Sequence, residues 1–267
     1  MPFHDTYARR TPYERLLPGA DFPSRRFMAI EAEAERRGVG LHDPAAFALL
    51  GSATEALDEW IGGDADADAV GRYALLLFHA FHHHAAGTPV YLLETPVVRS
   101  LLDPVAGNSP AGGSSPTFPA SVYLQLPQHL VWARLGDDSP PSSLDGIFRM
   151  RTSDGRVHLL PVGGLIGDRP GFTVMPVPSA PVADEPEWLS TEMRPGGGDF
   201  RSSIPGADLE GLYELTTVGE ALKLVARAML YIRAHPERVR GGVPASGSTP
   251  PPSALPSRRV VGDPQDG

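Results

Sequence analysis

The chain has 267 residues, a formal net charge of −9 and no cysteine. The acidic balance argues against a general nucleic-acid binder, because phosphate contacts need a basic face, but it does not exclude a local basic patch. The absence of cysteine rules out disulfides, thiolate metal sites and cysteine nucleophiles.

The first 20 residues are polar and interrupted by proline, and we interpret residues 1–20 as a surface arm. They show no charged start followed by an apolar run, so a secretory signal is not expected. The most apolar stretch, residues 73–81, is about half the length that a helix needs to cross a bilayer. We therefore expect a cytoplasmic protein with no membrane partner.

Helical periodicity and helix start and stop signals predict four helices before the main sheet. Asp43-Pro44 is a clear start, because the aspartate can cap the helix and proline fits its first turn. Gly38 can end the first helix in the left-handed conformation. A short strand at residues 90–93 is either an edge or a parallel addition to the sheet. The predicted helices span residues 24–37, 44–61, 69–86 and 95–102.

A run of short strands between residues 121 and 177 is the predicted centre of the fold. Asp154-Gly155 lies between two alternating runs and predicts a hairpin, because a type I′ turn needs residues that accept positive φ. In the strand before this turn, Phe148 and Met150 are expected to point inward and Arg149 outward. The predicted strands span residues 122–126, 129–135, 146–152, 156–162 and 172–177.

The order of elements, helices followed by a sheet and a last helix, favours an α+β fold over a doubly wound one. A capping box at residues 217–220 predicts a C-terminal helix that ends before His235-Pro236. The predicted fold is an antiparallel β-meander of about five strands, covered on one face by N-terminal helices and a C-terminal helix. Residues 21–240 form the single predicted domain. Residues 241–267 are rich in proline, serine and glycine, and we expect them to form a disordered tail.

His79, His82 and His83 are the candidate metal ligands. On a helix His79 lies one turn from each of the other two, so a pair of these imidazoles could hold Zn²⁺ with a third ligand from elsewhere. The glutamate of the zinc-protease signature HExxH is missing, because Ala80 follows His79. The alternative interpretation is a solvated polar face, where cationic histidines complement the helix dipole.

The sequence contains neither a phosphate-binding loop nor a GxSxG nucleophile motif. The first functional hypothesis is therefore a non-enzymatic cytoplasmic protein that binds a protein partner or a small ligand and needs no cofactor. Tyr123, Trp132 and Trp188 are the residues expected at its contact surface. The alternative is a metal-dependent hydrolase that uses Zn²⁺ on the His79 and His83 face. No nucleic-acid partner is expected.

Overall fold

The computed structural model describes the main helices and most of the sheet. Trp188 and the predicted arm at residues 1–20 lie outside the described residues, so both stay predictions. The described residues are 21–62, 67–102, 119–127, 129–133, 142–153, 155, 157–163, 173–174, 213–215, 218–241 and 258–262.

Six α-helices lie in the described residues, and they follow the order of the five predicted helices, one of which is divided in two. A π-helical turn, Pro23–Phe27, leads directly into the first helix, and a 3₁₀ turn, Pro236–Arg238, follows the last one. The helices are α1 (Met28–Arg37), α2 (Pro44–Ala48), α3 (Gly51–Ile61), α4 (Ala67–Ala85), α5 (Thr95–Leu102) and α6 (Val218–Ala234).

The single helix predicted over residues 44–61 is divided into α2 and α3. Asp43 caps α2 as predicted, since its carboxylate accepts a hydrogen bond from Ala45 N at 3.0 Å. The chain then becomes extended at Leu50, which has no capping side chain. Glu33 of α1 supplies the missing cap for α3: its carboxylate accepts from the backbone N–H groups of Gly51 at 3.1 Å and Ser52 at 2.7 Å.

Nine strands form one sheet in the described residues. Its main path runs β6-β5-β4-β2-β1-β9-β8, while β3 pairs with β4 and β7 beside that path. The strands are β1 (Val90–Leu93), β2 (Ser121–Gln125), β3 (Val131–Ala133), β4 (Ser142–Arg151), β5 (Val157–Gly163), β6 (Thr173–Val174), β7 (Tyr213–Leu215), β8 (Val239–Gly241) and β9 (Arg258–Val260).

The structure is α+β as predicted, but the sheet is mixed and does not match the predicted antiparallel meander. The strands β2, β4, β5 and β6 of the described sheet lie side by side and pair antiparallel, but β3, which lies between β2 and β4 in sequence, pairs with β4 and β7 and not with β2. In contrast, β1 is parallel to both of its neighbours, β2 and β9. The connection from β1 to β2 contains α5, and a helical crossover of this kind is what a parallel pair needs.

Helices cover both faces of the sheet, which corrects the prediction that only one face is covered. Successive residues of β2 pack on opposite faces of the sheet. Val122 and Leu124 belong to the apolar cluster under α5 and α6, whereas Tyr123 belongs to the cluster under α1 to α4. A strand that is buried on both sides has no solvent face, so the outward positions of the predicted register are also buried.

The predicted C-terminal tail contains a strand of the sheet. Residues Arg258–Val260 form β9, which lies between β1 and β8 and pairs with both. Val260 is fully buried in the cluster under α5 and α6. Three residues are too few to show a strand period in a segment dominated by proline, serine and glycine, and the prediction of disorder is wrong for them.

No helix among the described residues is long and apolar enough to cross a membrane.

Candidate functional site

The three candidate metal ligands on α4 are buried: His79 and His83 face the sheet, whereas His82 lies against the segment that leads into α2. The exposed fraction is 3% for His79, 8% for His82 and 0% for His83. The interpretation as a solvated polar face is therefore wrong. The physical reason is that α4 lies between the sheet and the other N-terminal helices, so the polar end of the helix is also covered.

Two of these imidazoles hold backbone segments against α4. His82 Nε2 donates a hydrogen bond to the carbonyl oxygen of Leu41 at 2.9 Å, and His83 Nε2 donates to that of Pro89 at 3.1 Å. A carbonyl oxygen only accepts, so both rings carry their proton on Nε2. The Pro89 oxygen also accepts from Tyr123 N, and His83 therefore links the end of α4 to the start of the sheet.

Aromatic rings surround the same histidines. His79 lies 6.0 Å from the ring of Phe148, measured between ring centroids, and His83 lies 5.4 Å from the same ring. His82 stacks on His42 with a centroid distance of 5.4 Å. These contacts make His79 and His83 part of the apolar core between α4 and the sheet, and they place His82 between α4 and the segment before α2.

The surroundings of His79, His82 and His83 favour neutral imidazoles. Burial lowers the pKa of His79 well below its usual value, and the neighbouring rings of His158, His82 and His83 lower it further. Burial also lowers the pKa of His82 to about 4 and that of His83 to about 4, although each backbone hydrogen bond opposes the change. The rings are uncharged at neutral pH.

The zinc site stays a prediction without support from the geometry. In the part of the chain that the structure describes, no group of three or more His, Asp and Glu side chains could hold a metal ion. The Nε2 atoms of His82 and His83 already bond to carbonyl oxygens, which leaves each ring one nitrogen for a metal.

The two predicted contact residues that the structure describes differ in exposure. Tyr123 is only 1% exposed, and its ring packs on Phe148 with a centroid distance of 4.6 Å inside the core. It is therefore not a surface contact residue. Trp132 in β3 is partly exposed, and its Nε1 donates to the carbonyl oxygen of His129 at 3.2 Å. Trp188 lies outside the described residues.

The edge of the sheet where β8 and β9 lie carries a basic surface that was not predicted from the sequence. The strands β8 and β9 form an antiparallel pair there, and β8 is the last strand on the main path of the described sheet. We call this surface the arginine edge. It consists of Arg238, Arg240, Arg258 and Arg259 together with the backbone of β8.

The β9 arginines are held by side chains near β1. Arg259 Nε lies 2.6 Å from Glu94 Oε1 in an ion pair. Arg258 Nη1 donates to Tyr91 Oη at 3.3 Å, and the guanidinium carbon lies 5.7 Å from the centroid of that ring. Both arginine residues are nevertheless exposed.

The β8 side of the edge carries the other two arginines. Arg238 Nη1 donates to Tyr231 Oη at 2.8 Å, and its Nε lies 3.8 Å from Glu237 Oε1. Arg240 is exposed and lies directly opposite Arg259 in the strand pairing. No carboxylate among the described residues forms an ion pair with Arg240. The described edge therefore combines four arginines with the two carboxylates Glu94 and Glu237.

The only signal for this edge in the sequence is the pair of short groups Val239-Arg240 and Arg258-Arg259-Val260. They are separated by 17 residues that carry no strand pattern. Only the pairing of β8 with β9 brings them together.

The chain matches no protein-family model. No curated protein sequence matches it either. The functional proposal therefore rests on the residues and their geometry.

Proposed function

We propose that the chain is a non-enzymatic binding protein whose arginine edge takes an acidic protein partner. Arg240 carries this proposal, because its exposed guanidinium lies on the edge strand directly opposite Arg259. Like charges that face each other across two strands destabilise a sheet. Glu94 already offsets the charge of Arg259, so a partner carboxylate placed at Arg240 would offset the remaining charge of the pair and form charge-assisted hydrogen bonds.

The arginine edge is basic, whereas the chain as a whole is acidic. This difference in charge favours an acidic protein segment over nucleic acid as the partner. The chain as a whole has a net charge of −9, so a long polyanion would be repelled by most of the molecule. A short acidic segment would meet only the local positive potential. The planar guanidinium fork also suits carboxylates, as the ion pair of Arg259 with Glu94 illustrates.

The buried histidines have a structural role, which is compatible with a binding function at the surface. His82 and His83 hold backbone carbonyl oxygens and are neutral, so they serve to connect α4 with neighbouring segments. This structural use gives them no part in the proposed activity.

Fluorescence anisotropy with a labelled oligoglutamate peptide tests the proposal on the full chain. The parent protein should bind the peptide, and binding should weaken as salt rises, because exposed charges are screened. Arg240→Glu should weaken binding by about tenfold or more. Arg36→Glu is the matched control, since Arg36 is an exposed arginine on α1 and its reversal changes the net charge equally.

The control should bind like the parent. Failure of the parent protein to bind oligoglutamate, or an equal loss in Arg36→Glu and Arg240→Glu, would contradict a site at the arginine edge.

A further inference from the structure

We infer that the acidic partner segment binds as an extended strand that continues the sheet beyond β8. This inference rests on the proposed function, because it specifies how an acidic segment would occupy the arginine edge. In strand addition, backbone hydrogen bonds supply affinity and the side chains that alternate along the strand supply specificity.

The hydrogen-bond pattern of β8 leaves backbone groups pointing away from the sheet. Val261 N donates to Arg238 O at 3.1 Å, so these two residues form a hydrogen-bonded pair. In an antiparallel ladder such pairs alternate, and Arg240 with Arg259 is therefore the next one. The C=O group of Val239 and the N–H and C=O groups of Gly241 consequently point to the outer side of β8, whereas the N–H group of Val239 donates to the carbonyl oxygen of Pro236.

This pattern fixes the register of an added antiparallel strand. The C=O group of Val239 and the N–H and C=O groups of Gly241 would form hydrogen bonds with it, so the partner residue opposite Arg240 would occupy a non-hydrogen-bonded position. In such positions the Cα atoms are only about 4.5 Å apart and the side chains are closest. An acidic residue opposite Arg240 would thus place its carboxylate beside that guanidinium and on the same face as Arg259.

The position next to Arg240 leaves room for a second partner side chain. Gly241 has no side chain, and a Cβ built there would meet no atom within 4 Å. Arg258 lies directly opposite Gly241 in β9, so a long acidic side chain of the partner could extend across Gly241 towards it.

The same arginines disfavour a second copy of this chain as the occupant. Two β8 strands paired antiparallel would bring two sets of edge arginines together, and charged side chains on an edge strand are a known protection against such pairing. The charge that prevents self-association is complementary to an acidic strand.

Backbone N-methylation of a peptide separates strand addition from simple charge attraction. The probe is a capped peptide in which Thr and Glu alternate, so that all glutamates share one face of a strand. Methylation of the Thr amides blocks the groups that would bond to Val239 and Gly241. Methylation of the Glu amides places the same number of methyl groups on the outer side and serves as the matched control.

Strand addition predicts that the unmodified and Glu-methylated peptides bind, while Thr-methylation weakens binding about tenfold or more. The peptide should also slow hydrogen exchange of the Gly241 amide. Equal binding of both methylated peptides would overturn strand addition and leave the proposed acidic partner in place. Binding of an oligothymidine of equal charge, without binding of any glutamate peptide, would overturn both proposals.

Discussion

The ring of Tyr123 lies directly against the backbone of Gly146, where β2 pairs with β4. A Cβ added at Gly146 would overlap the Cζ and Oη atoms of that ring and would lie 2.6 Å from the carbonyl oxygen of Leu124. The ring belongs to the core under α4, and the carbonyl belongs to a central strand. Neither can move without disturbing the sheet.

Gly146→Ala should therefore destabilise the protein by about 3 kcal/mol or prevent it from folding, because overpacking beside backbone cannot relax. Gly71→Ala is the matched control. Gly71 is exposed on α4, and a Cβ there would meet no atom within 4 Å. This control should gain about 1 kcal/mol from helix propensity. Urea unfolding measures both, and a Gly146→Ala protein as stable as the parent would show that the contact is absent.

Neighbouring positions in β4 should both be sensitive to truncation, because both faces of the sheet are covered. Phe148 is 0% exposed and Arg149 is 2% exposed. Phe148→Ala should cost about 3–5 kcal/mol. Arg149→Ala should cost about 2–4 kcal/mol, since it removes a large buried side chain and leaves a cavity.

The exposed arginine Arg36 provides the control for this pair, and Arg36→Ala should stay within about 0.5 kcal/mol of the parent. Denaturant unfolding of the three variants checks the prediction. A cost for Arg149→Ala as small as that of Arg36→Ala would place Arg149 at the surface, as expected from the sequence alone.

Acid should weaken the fold through the buried histidines before it affects the carboxylates. The pKa values of His82 and His83 are lowered to about 4 by burial, whereas unfolded histidine titrates near 6.5. Between these values the unfolded chain binds more protons, so stability is complete above about pH 6.5 and is lost as the pH falls towards 4. Each such histidine contributes about 1.4 kcal/mol per pH unit within this window.

The free energy of unfolding, measured from pH 8 to pH 5, checks this dependence. Above pH 5 the lowered pKa of Glu33, about 2, contributes little, because unfolded glutamate titrates near 4.3. His83→Gln should reduce the slope by about 1.4 kcal/mol per pH unit relative to the parent. A parent slope near zero between pH 6.5 and pH 5 would show that the cluster protonates as readily as unfolded histidine.

Local signals in the sequence were sufficient to predict the helices and most of the strands. Asp43-Pro44 started a helix as predicted, and Gly38 ended another at a φ of 64°. The alternation of Val122 and Tyr123 gave the correct faces of β2. These features depend on a few adjacent residues, which is why periodicity and capping rules apply to them.

The missed features depend on residues that are distant in the chain. The burial of Arg149 follows from the position of α5 and α6, which no pattern within β4 reveals. The arginine edge arises because Arg240 and Arg259 become neighbours only through the pairing of β8 with β9. A local pattern of three residues cannot indicate which strand it will join.

Val260 tests whether the C-terminal strand is part of the core. It is fully buried, and its neighbours in the pairing are Leu93 of β1 and Val239 of β8. Val260→Ala should cost about 2 kcal/mol, the order expected for losing most of a buried valine side chain. A melting temperature equal to that of the parent would support the disordered tail predicted from the sequence and would remove the basis of the arginine edge.

A charge exchange at Arg240 tests the central claim most directly. The affinities of the parent and Arg240→Glu proteins are measured for two labelled peptides that differ only in having glutamate or lysine at alternate positions. If a partner carboxylate lies beside Arg240, the parent should prefer the glutamate peptide, and Arg240→Glu should bind the lysine peptide more tightly than the parent does. If the glutamate peptide binds the parent and Arg240→Glu with equal affinity, the arginine edge is not the binding site.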